Sequence, residues 1–395
     1  MSPSHKLSAK QAFCQHGPRS LKWVDHGHLE GLRLAVKDLF HLKGEKNTAG
    51  NPDWFETTEP AKETATSLCK LLEQGADFIG FTHTDELAFS LKGNNAFYGW
   101  VENPKCPDHF CGGSSMGSAA VVAAGLAEIA LGTDTAGSVR VPASYCGLYG
   151  IRPSQGAVSA RGVIPLAPAF DTVGWFSQSA KHLQQVGQCL LPKSEAATFQ
   201  RLYVIPELLA LTDDHQTTQQ ALDQIAPFYT QIKYVNFPSS YNINELVNAF
   251  NVLRGQSVKL TYAEWLSTAP QLSPAIAGRF KTCLSVTLDE VKTAEKVQRQ
   301  WQEALNNLLG EGATLALPTT PTTAPKIGED IKTLRERLLQ LSVIAGLAGI
   351  PQCHLPITYQ QRGNLKKPAG ISIIKHKGAD LSLLDEATMM EKNHD

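Results

Sequence analysis

A segment built from small residues, 112–153, places the strongest constraint on how this chain folds. Positions 117–124 within it contain only Gly, Ser, Ala and Val, and a helix with such short side chains packs very closely against its neighbours. The small apolar stretch 119–131 includes Glu128 and is too short to span a membrane. The pattern therefore predicts a buried helix, followed by a buried strand over 128–132, and not a membrane anchor.

Helical and extended patterns alternate before this segment. Residues 32–37 alternate as in a strand, which places Lys37 at the end of that strand. Residues 67–74 have helical spacing, and Gly75 is a typical residue just after a helix. Residues 78–82 then form a short strand. Such alternation of helices and strands favours an α/β fold built on a sheet.

Three short segments carry the residues that are suited to catalysis. They contain one lysine and two well-separated serines beside glycine or other small residues, and they are 35–38, 112–115 and 132–140. A neutral lysine acts as a base, and a serine hydroxyl becomes a nucleophile once a base removes its proton. The nearby residues Leu34, Val36 and Leu39 are apolar and favour burial of Lys37, and burial lowers the pKa of a lysine. Because none of the three segments contains histidine, they indicate acyl transfer by serine and lysine.

These segments resemble the amidase signature family. The resemblance extends over most of 32–384, is weakest over 191–310 and is most specific in the block 112–153. Further stretches similar to the family are 80–88, 103–104, 170–174, 317–321, 348–351 and 355–356. The resemblance implies an α/β amidase signature fold, in which a central mixed β-sheet is covered by helices on both faces.

By this resemblance, the catalytic unit is a Ser–cis-Ser–Lys triad. Ser138 is the nucleophile, Ser114 relays the proton and Lys37 is the base. Ser114 precedes Ser138 by the spacing that is usual in the family, and a cis peptide bond is expected before it, between Gly113 and Ser114. Ser115 is interpreted as the N-cap of the helix that follows. Asp38 is expected to point away from Lys37, because successive residues of a strand face opposite sides.

The resemblance also assigns residues that support the nucleophile. The backbone N–H groups of the oxyanion hole are those of Thr135, Ala136, Gly137 and Ser138. The residues that hold the loop in place are Gly113, Asp134 and Arg140. Met116 stands where many members have glycine, so this bulky and adaptable side chain is a candidate for narrowing the substrate pocket.

The implied reaction is amide hydrolysis through an acyl-serine intermediate, without a metal or an organic cofactor. Segments 50–54, 141–146 and 170–176 look most like the short amidases that cleave indole-3-acetamide. We therefore predict that the substrate is a small primary or aryl amide. The products are a carboxylate and either ammonia or an amine.

Three other functions stay open at the level of sequence. One is the glutaminase-type amidase subunit of a tRNA-dependent amidotransferase, which releases ammonia from glutamine for a partner. Another is a non-catalytic member of the fold, although the complete triad argues against it. The third is a serine esterase, because residues 113–117 also fit the G-x-S-x-G pattern with Ser115 as nucleophile. The histidines available downstream to such an esterase are His182, His215, His354 and His376.

Charge and cysteine content limit the expected partners. Lys and Arg number 36, and Asp and Glu number 37, so the net charge of −1 gives no electrostatic reason to bind nucleic acid or a membrane surface. The eight cysteines have irregular spacing, and the twelve histidines form no metal-binding pattern. We therefore expect reduced thiols in a cytoplasmic enzyme whose partner is a small-molecule amide, and a homodimer stays open.

We expect a single amidase domain over 1–395. It divides into a catalytic core over 30–180, a variable substrate-side segment over 190–310 and a C-terminal part over 311–390 that completes the sheet. Residues 1–24 lack acidic side chains and have no apolar signal-peptide stretch. They are weakly similar to an organelle-targeting segment, although they contain a single arginine.

Overall fold

A computed structural model of the chain describes residues 5–193, 199–238, 241–310, 312–329, 331–363 and 365–392. The strands are β1 (Lys6–Leu7), β2 (Arg33–Lys37), β3 (Asp77–Thr82), β4 (Trp100–Val101), β5 (Ile129–Asp134), β6 (Tyr149–Arg152), β7 (Thr172–Ser177), β8 (Arg201–Val204), β9 (Gln231–Tyr234), β10 (Ala313–Pro318), β11 (Gln352–Arg362) and β12 (Leu365–Ile374). The helices are α1 (Pro52–Thr57), α2 (Thr66–Leu72), α3 (Met116–Ala123), α4 (Arg140–Cys146), α5 (Ala180–Leu190), α6 (Pro206–Leu209), α7 (His215–Ile225), α8 (Ile243–Ser267), α9 (Pro274–Leu284), α10 (Leu288–Leu308), α11 (Lys332–Ala348) and α12 (Asp380–Glu391).

Ten of these strands form one mixed sheet in the order β3-β2-β5-β7-β6-β11-β12-β10-β8-β9. β2 lies parallel to both β3 and β5, whereas β7 runs antiparallel to β5 and to β6. β10, β8 and β9 are parallel to one another at the other end of the sheet. The strands β10–β12 therefore complete the sheet in its middle, between the N-terminal strands and β8.

Helices cover both faces of this sheet. Leu34 and Val36 of β2 pack in one hydrophobic cluster with α2, α5 and α12, whereas Ala35 packs in another cluster with α3 and α4. The same alternation holds in β10, where Ala316 faces the first cluster and Leu315 faces a cluster formed with α8, α10 and α11. The predicted α/β class, with a mixed sheet between helical layers, is confirmed.

α3 is the helix that the run of small residues predicts. All eight of its residues are buried. A Cβ atom on Gly117 would lie 2.6 Å from the carbonyl oxygen of His83, and the Ser118 hydroxyl donates to the carbonyl of Leu131 at 2.8 Å. The close approach of α3 to strand β5 therefore depends on its small side chains. None of the helices in the described ranges is long and apolar enough to cross a membrane.

Candidate active site

Lys37 lies at the end of β2, fully buried, next to the parallel strand β5. Its Nζ donates to Ser114 Oγ at 2.7 Å and to Thr133 Oγ1 at 2.8 Å. Val36 pairs with Leu131, so the parallel register brings the end of β2 close to Thr133, whereas Ser114 reaches Lys37 from the segment that precedes α3. The structure therefore brings Lys37 and Ser114 into direct hydrogen-bond contact.

Burial changes the acid–base chemistry of Lys37. Desolvation lowers the pKa of its ammonium group to about 7, although the negative charges of Asp85, Asp134 and Asp171 act in the opposite direction. Asp38 points away, as the alternation of strand residues predicts, and its carboxylate accepts from His16 Nε2 at 2.9 Å. A substantial fraction of Lys37 is therefore neutral near pH 7.

The peptide bond between Gly113 and Ser114 is cis, which confirms the expectation for this position. The Ser114 carbonyl accepts hydrogen bonds from the Asp85 amide at 3.1 Å and from the Thr84 hydroxyl at 3.0 Å. A Cβ atom on Gly113 would lie 1.9 Å from Asp85 Oδ2, so no larger residue fits there. The amide of Gly113 donates to the carbonyl of Leu91 at 2.9 Å.

Asp134 organises the loop that carries Ser138. Its buried carboxylate accepts from the amides of Gly137 at 2.8 Å and Val139 at 3.1 Å. It also accepts a fork of two hydrogen bonds from Arg140, at 2.8 and 3.0 Å. Burial alone would raise the pKa of Asp134, but Arg140 and Arg152 outweigh it and hold this pKa well below its usual range. Asp134 is therefore a permanent anion that fixes the conformation of the loop.

Arg140 connects the loop to the C-terminal half of the chain. Its Nη1 donates to the carbonyl of Ser342 on α11 at 2.9 Å and to Gln352 Oε1 on β11 at 2.7 Å. Asp134 and Arg140, which the resemblance assigns to loop support, thus lie in one buried network that also contains Arg152.

Ser138 is 3% exposed and lies beside the other serines, since its carbonyl accepts from the Ser115 amide at 3.3 Å. Of the four amides expected in the oxyanion hole, that of Gly137 already donates to Asp134. In the part of the chain that the structure describes, no protein group accepts from the amides of Thr135, Ala136 and Ser138. These three amides are therefore open to a ligand.

The structure refines two interpretations from the sequence. Ser115 is the N-cap residue of α3, as predicted, although its hydroxyl donates to the carbonyl of Thr133 at 3.4 Å and accepts from no amide of the helix. Met116 has no exposed surface and packs in the hydrophobic cluster around α3. That position makes Met116 a core residue, and it is not among the residues that line the cavity described next.

A cavity of about 450 Å³ is lined in part by Thr133, the residue that hydrogen bonds with Lys37. Thr133 and Asp171 contribute polar atoms to its wall, while the remaining lining includes Val158, Ile164 and Leu166. Asp171 also accepts from the Thr135 hydroxyl at 2.6 Å, and burial raises the pKa of its carboxyl group. The cavity is thus largely apolar. It meets the active site at Thr133, which accepts from Lys37, and at Asp171, which accepts from Thr135.

Sequence reasoning did not single out Thr133, Asp85, Arg152 or Asp171. Thr133 and Asp171 stand inside the quoted segments 132–140 and 170–174, so the signal was present. Their contacts with Lys37 and Thr135 depend on strand register and on loop packing, which these short segments do not reveal. Only the parallel pairing of β2 with β5 would have identified Thr133 in advance.

One group of residues has the composition of a metal site. The potential ligand atoms of Cys14, His16 and Asp38 all lie within 4.8 Å of one another. However, protein donors already satisfy both oxygens of Asp38, since they accept from His16, from Asn47 and from the amide and hydroxyl of Thr48. The donor set is therefore satisfied by the protein alone.

Comparisons with known proteins agree with this geometry. A family model described as Amidase matches residues 15–218. The chain is 36% identical over 391 residues to Amidase 1 of Oryza sativa subsp. japonica, covering 90% of this chain and 89% of the relative. It is 29% identical over 420 residues to a glutamyl-tRNA(Gln) amidotransferase subunit of Neisseria meningitidis, covering 93% of this chain and 85% of the relative. A crystal structure of an amidase superposes with a TM-score of 0.83 at 26% identity, covering 93% of this chain and 86% of that one.

Proposed function

Because the chain belongs to the amidase family and hydrolyses amide C–N bonds, we propose that it cleaves a small primary or aryl amide with Ser138 as nucleophile. The observation that carries this proposal is the hydrogen bond between Lys37 Nζ and Ser114 Oγ, in a site where burial brings the pKa of Lys37 to about 7. A lysine in that state is a base at neutral pH.

The first step is formation of the acyl-enzyme. Neutral Lys37 takes the proton of the Ser114 hydroxyl, and Ser114 takes the proton of Ser138 as Ser138 Oγ bonds to the amide carbonyl carbon. The electron pair of the C=O bond moves onto its oxygen, which becomes an anion. Thr133 supports this step because its hydroxyl oxygen holds the amine of Lys37 in line with Ser114.

The oxyanion is held by backbone amides of the nucleophile loop. The amides of Thr135, Ala136 and Ser138 are available for this role, whereas that of Gly137 holds the loop through Asp134. We therefore assign the oxyanion hole to the three open amides. A single donor of this kind contributes about 3–4 kcal/mol to the transition state in other acyl-transfer enzymes.

The anion then collapses and the amide C–N bond breaks. The leaving nitrogen receives the proton that Lys37 holds, through Ser114, and departs as ammonia or an amine. Water next attacks the acyl-Ser138 ester and gives its proton to the same relay. The carboxylate product leaves and Ser138 recovers its hydroxyl. Apart from the substrate and the attacking water, every group in these steps belongs to the chain, so the proposal needs no cofactor.

The alternatives receive less support. Ser115, the nucleophile of an esterase, donates to a backbone carbonyl, and the ring of His354 hydrogen bonds with Thr319 at 2.6 Å. The amidotransferase protein is the more distant relative by identity, and its function predicts glutaminase activity that requires a partner.

We also propose a cytoplasmic location, which the eight free cysteines support, since free thiols are typical of reducing compartments. Homodimer formation stays a prediction.

Ammonia release from a panel of primary amides, indole-3-acetamide included, tests the proposal. Activity of the Ser138→Ala variant is expected to fall by roughly four orders of magnitude or more, as for other serine nucleophiles. Ser267→Ala, which removes an exposed hydroxyl that donates to the carbonyl of Glu264 in its own helix, is the matched control and keeps full activity. Activity that survives in Ser138→Ala but disappears in Ser115→Ala would show that the nucleophile is wrong.

A further inference from the structure

The N-terminal part of the chain encloses another cavity against strand β3. Strand β1 pairs in parallel with β4, and the amide of Cys14 donates to the carbonyl of Phe81 on β3 at 2.8 Å, so the backbone on this side is held in place. The enclosed space measures about 730 Å³, within the usual range for a small-molecule site. It is lined by residues from 5–19 and 79–98 and is called the N-terminal cavity below. It shares no lining residue with the cavity at Thr133.

Positively charged side chains meet at the N-terminal cavity without counter-charges. Lys10 and Arg19 line it together with His5, and all three residues are exposed. Among the described residues, none of these three side chains has a carboxylate within 4.0 Å, and no acidic residue lines the cavity. The N-terminal cavity therefore favours a ligand with negative charge.

His83 supplies a further polar group from β3 to the wall of the cavity. Desolvation lowers the pKa of this half-buried imidazole to about 4, so the ring is neutral near pH 7. Its Nδ1 lies 3.7 Å from Cys14 Sγ, and in the part of the chain that the structure describes no group hydrogen bonds with its Nε2. Asp38 acts electrostatically on His83, but this carboxylate is fully buried and already accepts from other protein groups. His83 thus offers a ring nitrogen to a ligand.

Aromatic rings form another part of the wall. Tyr98 stacks on His83, with ring centres 5.7 Å apart and ring planes inclined by 26°. Phe13 lies beside Arg19, since a Cβ atom on Gly80 would be 3.1 Å from Phe13 Cδ1 and 3.7 Å from Arg19 Nη1. The bare backbone of Gly80 therefore lets a ring and a guanidinium group approach the same place. Such a pair suits a ligand that is both planar and anionic.

We propose that the N-terminal cavity binds a small aromatic compound that carries a phosphate or a carboxylate group. Lys10 and Arg19 bind the anionic group, because neither has a counter-ion in the protein, and the aromatic ring of the ligand lies against Phe13 and Tyr98. The chain as a whole has a net charge of −1, so the attraction for an anion is local to this cavity. The inference is independent of the proposed function, because binding here requires no catalytic residue.

Phenyl phosphate is the first probe, and calorimetric titration of the wild-type protein at constant ionic strength measures its affinity. We expect inorganic phosphate and phenol to bind at least about tenfold more weakly, because each lacks one of the two parts that the cavity recognises. Phenylacetate is titrated in parallel, and its affinity relative to phenyl phosphate shows which anionic group the cavity prefers. Inorganic phosphate that binds as tightly as phenyl phosphate would overturn recognition of the ring.

Variants of the exposed cations locate the binding site. Arg19→Met is expected to weaken the binding of phenyl phosphate up to about fivefold, and Lys10→Met/Arg19→Met more than about tenfold, as for exposed ion pairs. Both side chains are exposed, so these substitutions leave the core intact. Arg299→Met, which removes an exposed arginine of α10, is the matched control and keeps the wild-type affinity. Absence of binding for both anionic probes, or binding that the double variant leaves unchanged, would overturn the proposal.

Discussion

At the scale of single residues, burial decides what Lys37 can do. On a surface this side chain would carry a proton throughout the physiological pH range, because a free lysine has a pKa near ~10.4. Within the core it donates to two hydroxyl oxygens, and among the described residues three carboxylates act on it without forming an ion pair. The result is a pKa of about 7, which suits a base that must accept and return a proton.

The pH dependence of the reaction follows from this value. Only neutral Lys37 acts as a base, so kcat/KM is expected to fall about tenfold per pH unit below a midpoint near the pKa of about 7. The measurement is the pH profile of kcat/KM from pH 5 to 9, with far-UV circular dichroism at each pH to show that the protein stays folded. A flat profile across pH 6–8 would contradict the assignment of the base.

Thr133 offers a sharper test of the same residue. Thr133→Val preserves the side-chain shape and removes the oxygen that accepts from Lys37 Nζ. Because that oxygen stabilises the charged form more than the neutral form, its loss is expected to lower the pKa of Lys37 further. The acidic limb of the kcat/KM profile should therefore move to lower pH. A limb that stays in place would show that Thr133 has no influence on the base, and a limb that moves to higher pH would contradict its stabilisation of the charged form.

At the scale of elements, the site is formed by the ends of two parallel strands and the turn before a helix. β2 ends with Lys37, β5 ends with Asp134, and α3 begins directly after Ser114 and Ser115. Each of these elements was predicted from local patterns, since alternation, helical spacing and small residues are all properties of neighbouring positions. Their mutual placement comes from the order of the strands, in which β2 and β5 are neighbours although about ninety residues separate them.

Gly113 shows how closely these elements approach. Gly113→Ala would place a Cβ atom 1.9 Å from a carboxylate oxygen that the amides of Gly93 and Asn94 hold in place. We expect loss of activity and a decrease of about 1–3 kcal/mol or more in the free energy of unfolding. Gly278→Ala is the matched control, because that glycine lies in α9 with no atom within 4 Å of the added Cβ. Thermal denaturation should show Gly113→Ala as the less stable of the two, and equal stability would contradict the prediction.

At the scale of the whole molecule, contacts join the predicted catalytic core, the substrate-side segment and the C-terminal part of the chain. Glu386 on α12 accepts from Lys375 Nζ at 2.6 Å, from the Tyr229 hydroxyl at 2.8 Å and from the Thr314 hydroxyl at 3.0 Å. One hydrophobic cluster contains residues from Cys14 to Met390. We therefore propose that the chain folds as one domain, in which the C-terminal strands lie at the centre of the sheet.

The buried pair of Lys375 and Glu386 tests this integration. Lys375 is 2% exposed and Glu386 is fully buried, so Lys375→Met leaves an uncompensated carboxylate in the core. We expect the free energy of unfolding to fall by about 3–5 kcal/mol, with part of it recovered in the double variant Lys375→Met/Glu386→Gln. Chemical denaturation followed by tryptophan fluorescence and by circular dichroism should give coincident transitions. Separate transitions would contradict a single domain, and no recovery in the double variant would contradict the ion-pair argument.

The sequence by itself determined the elements that carry the site and the identity of the residues suited to catalysis. Small residues specified the buried helix α3, and alternation specified β2, because both are local patterns that the backbone period translates directly into burial. The resemblance to a family placed Lys37, Ser114 and Ser138 together before any distance was known. It could not show that the Gly137 amide is engaged by Asp134, or that Met116 lies in the core.

Only the tertiary structure decided the charges and open groups around these residues. Lys37 acquires its pKa from desolvation, which lowers it, and from carboxylates far along the chain, which act in the opposite direction. Electrostatic free energy depends on distance and on exclusion of water, and neither quantity is a property of neighbouring positions in a sequence. The chemistry of the site could therefore be anticipated from its residues, whereas the proton affinity of its base depends on how the folded chain surrounds that base.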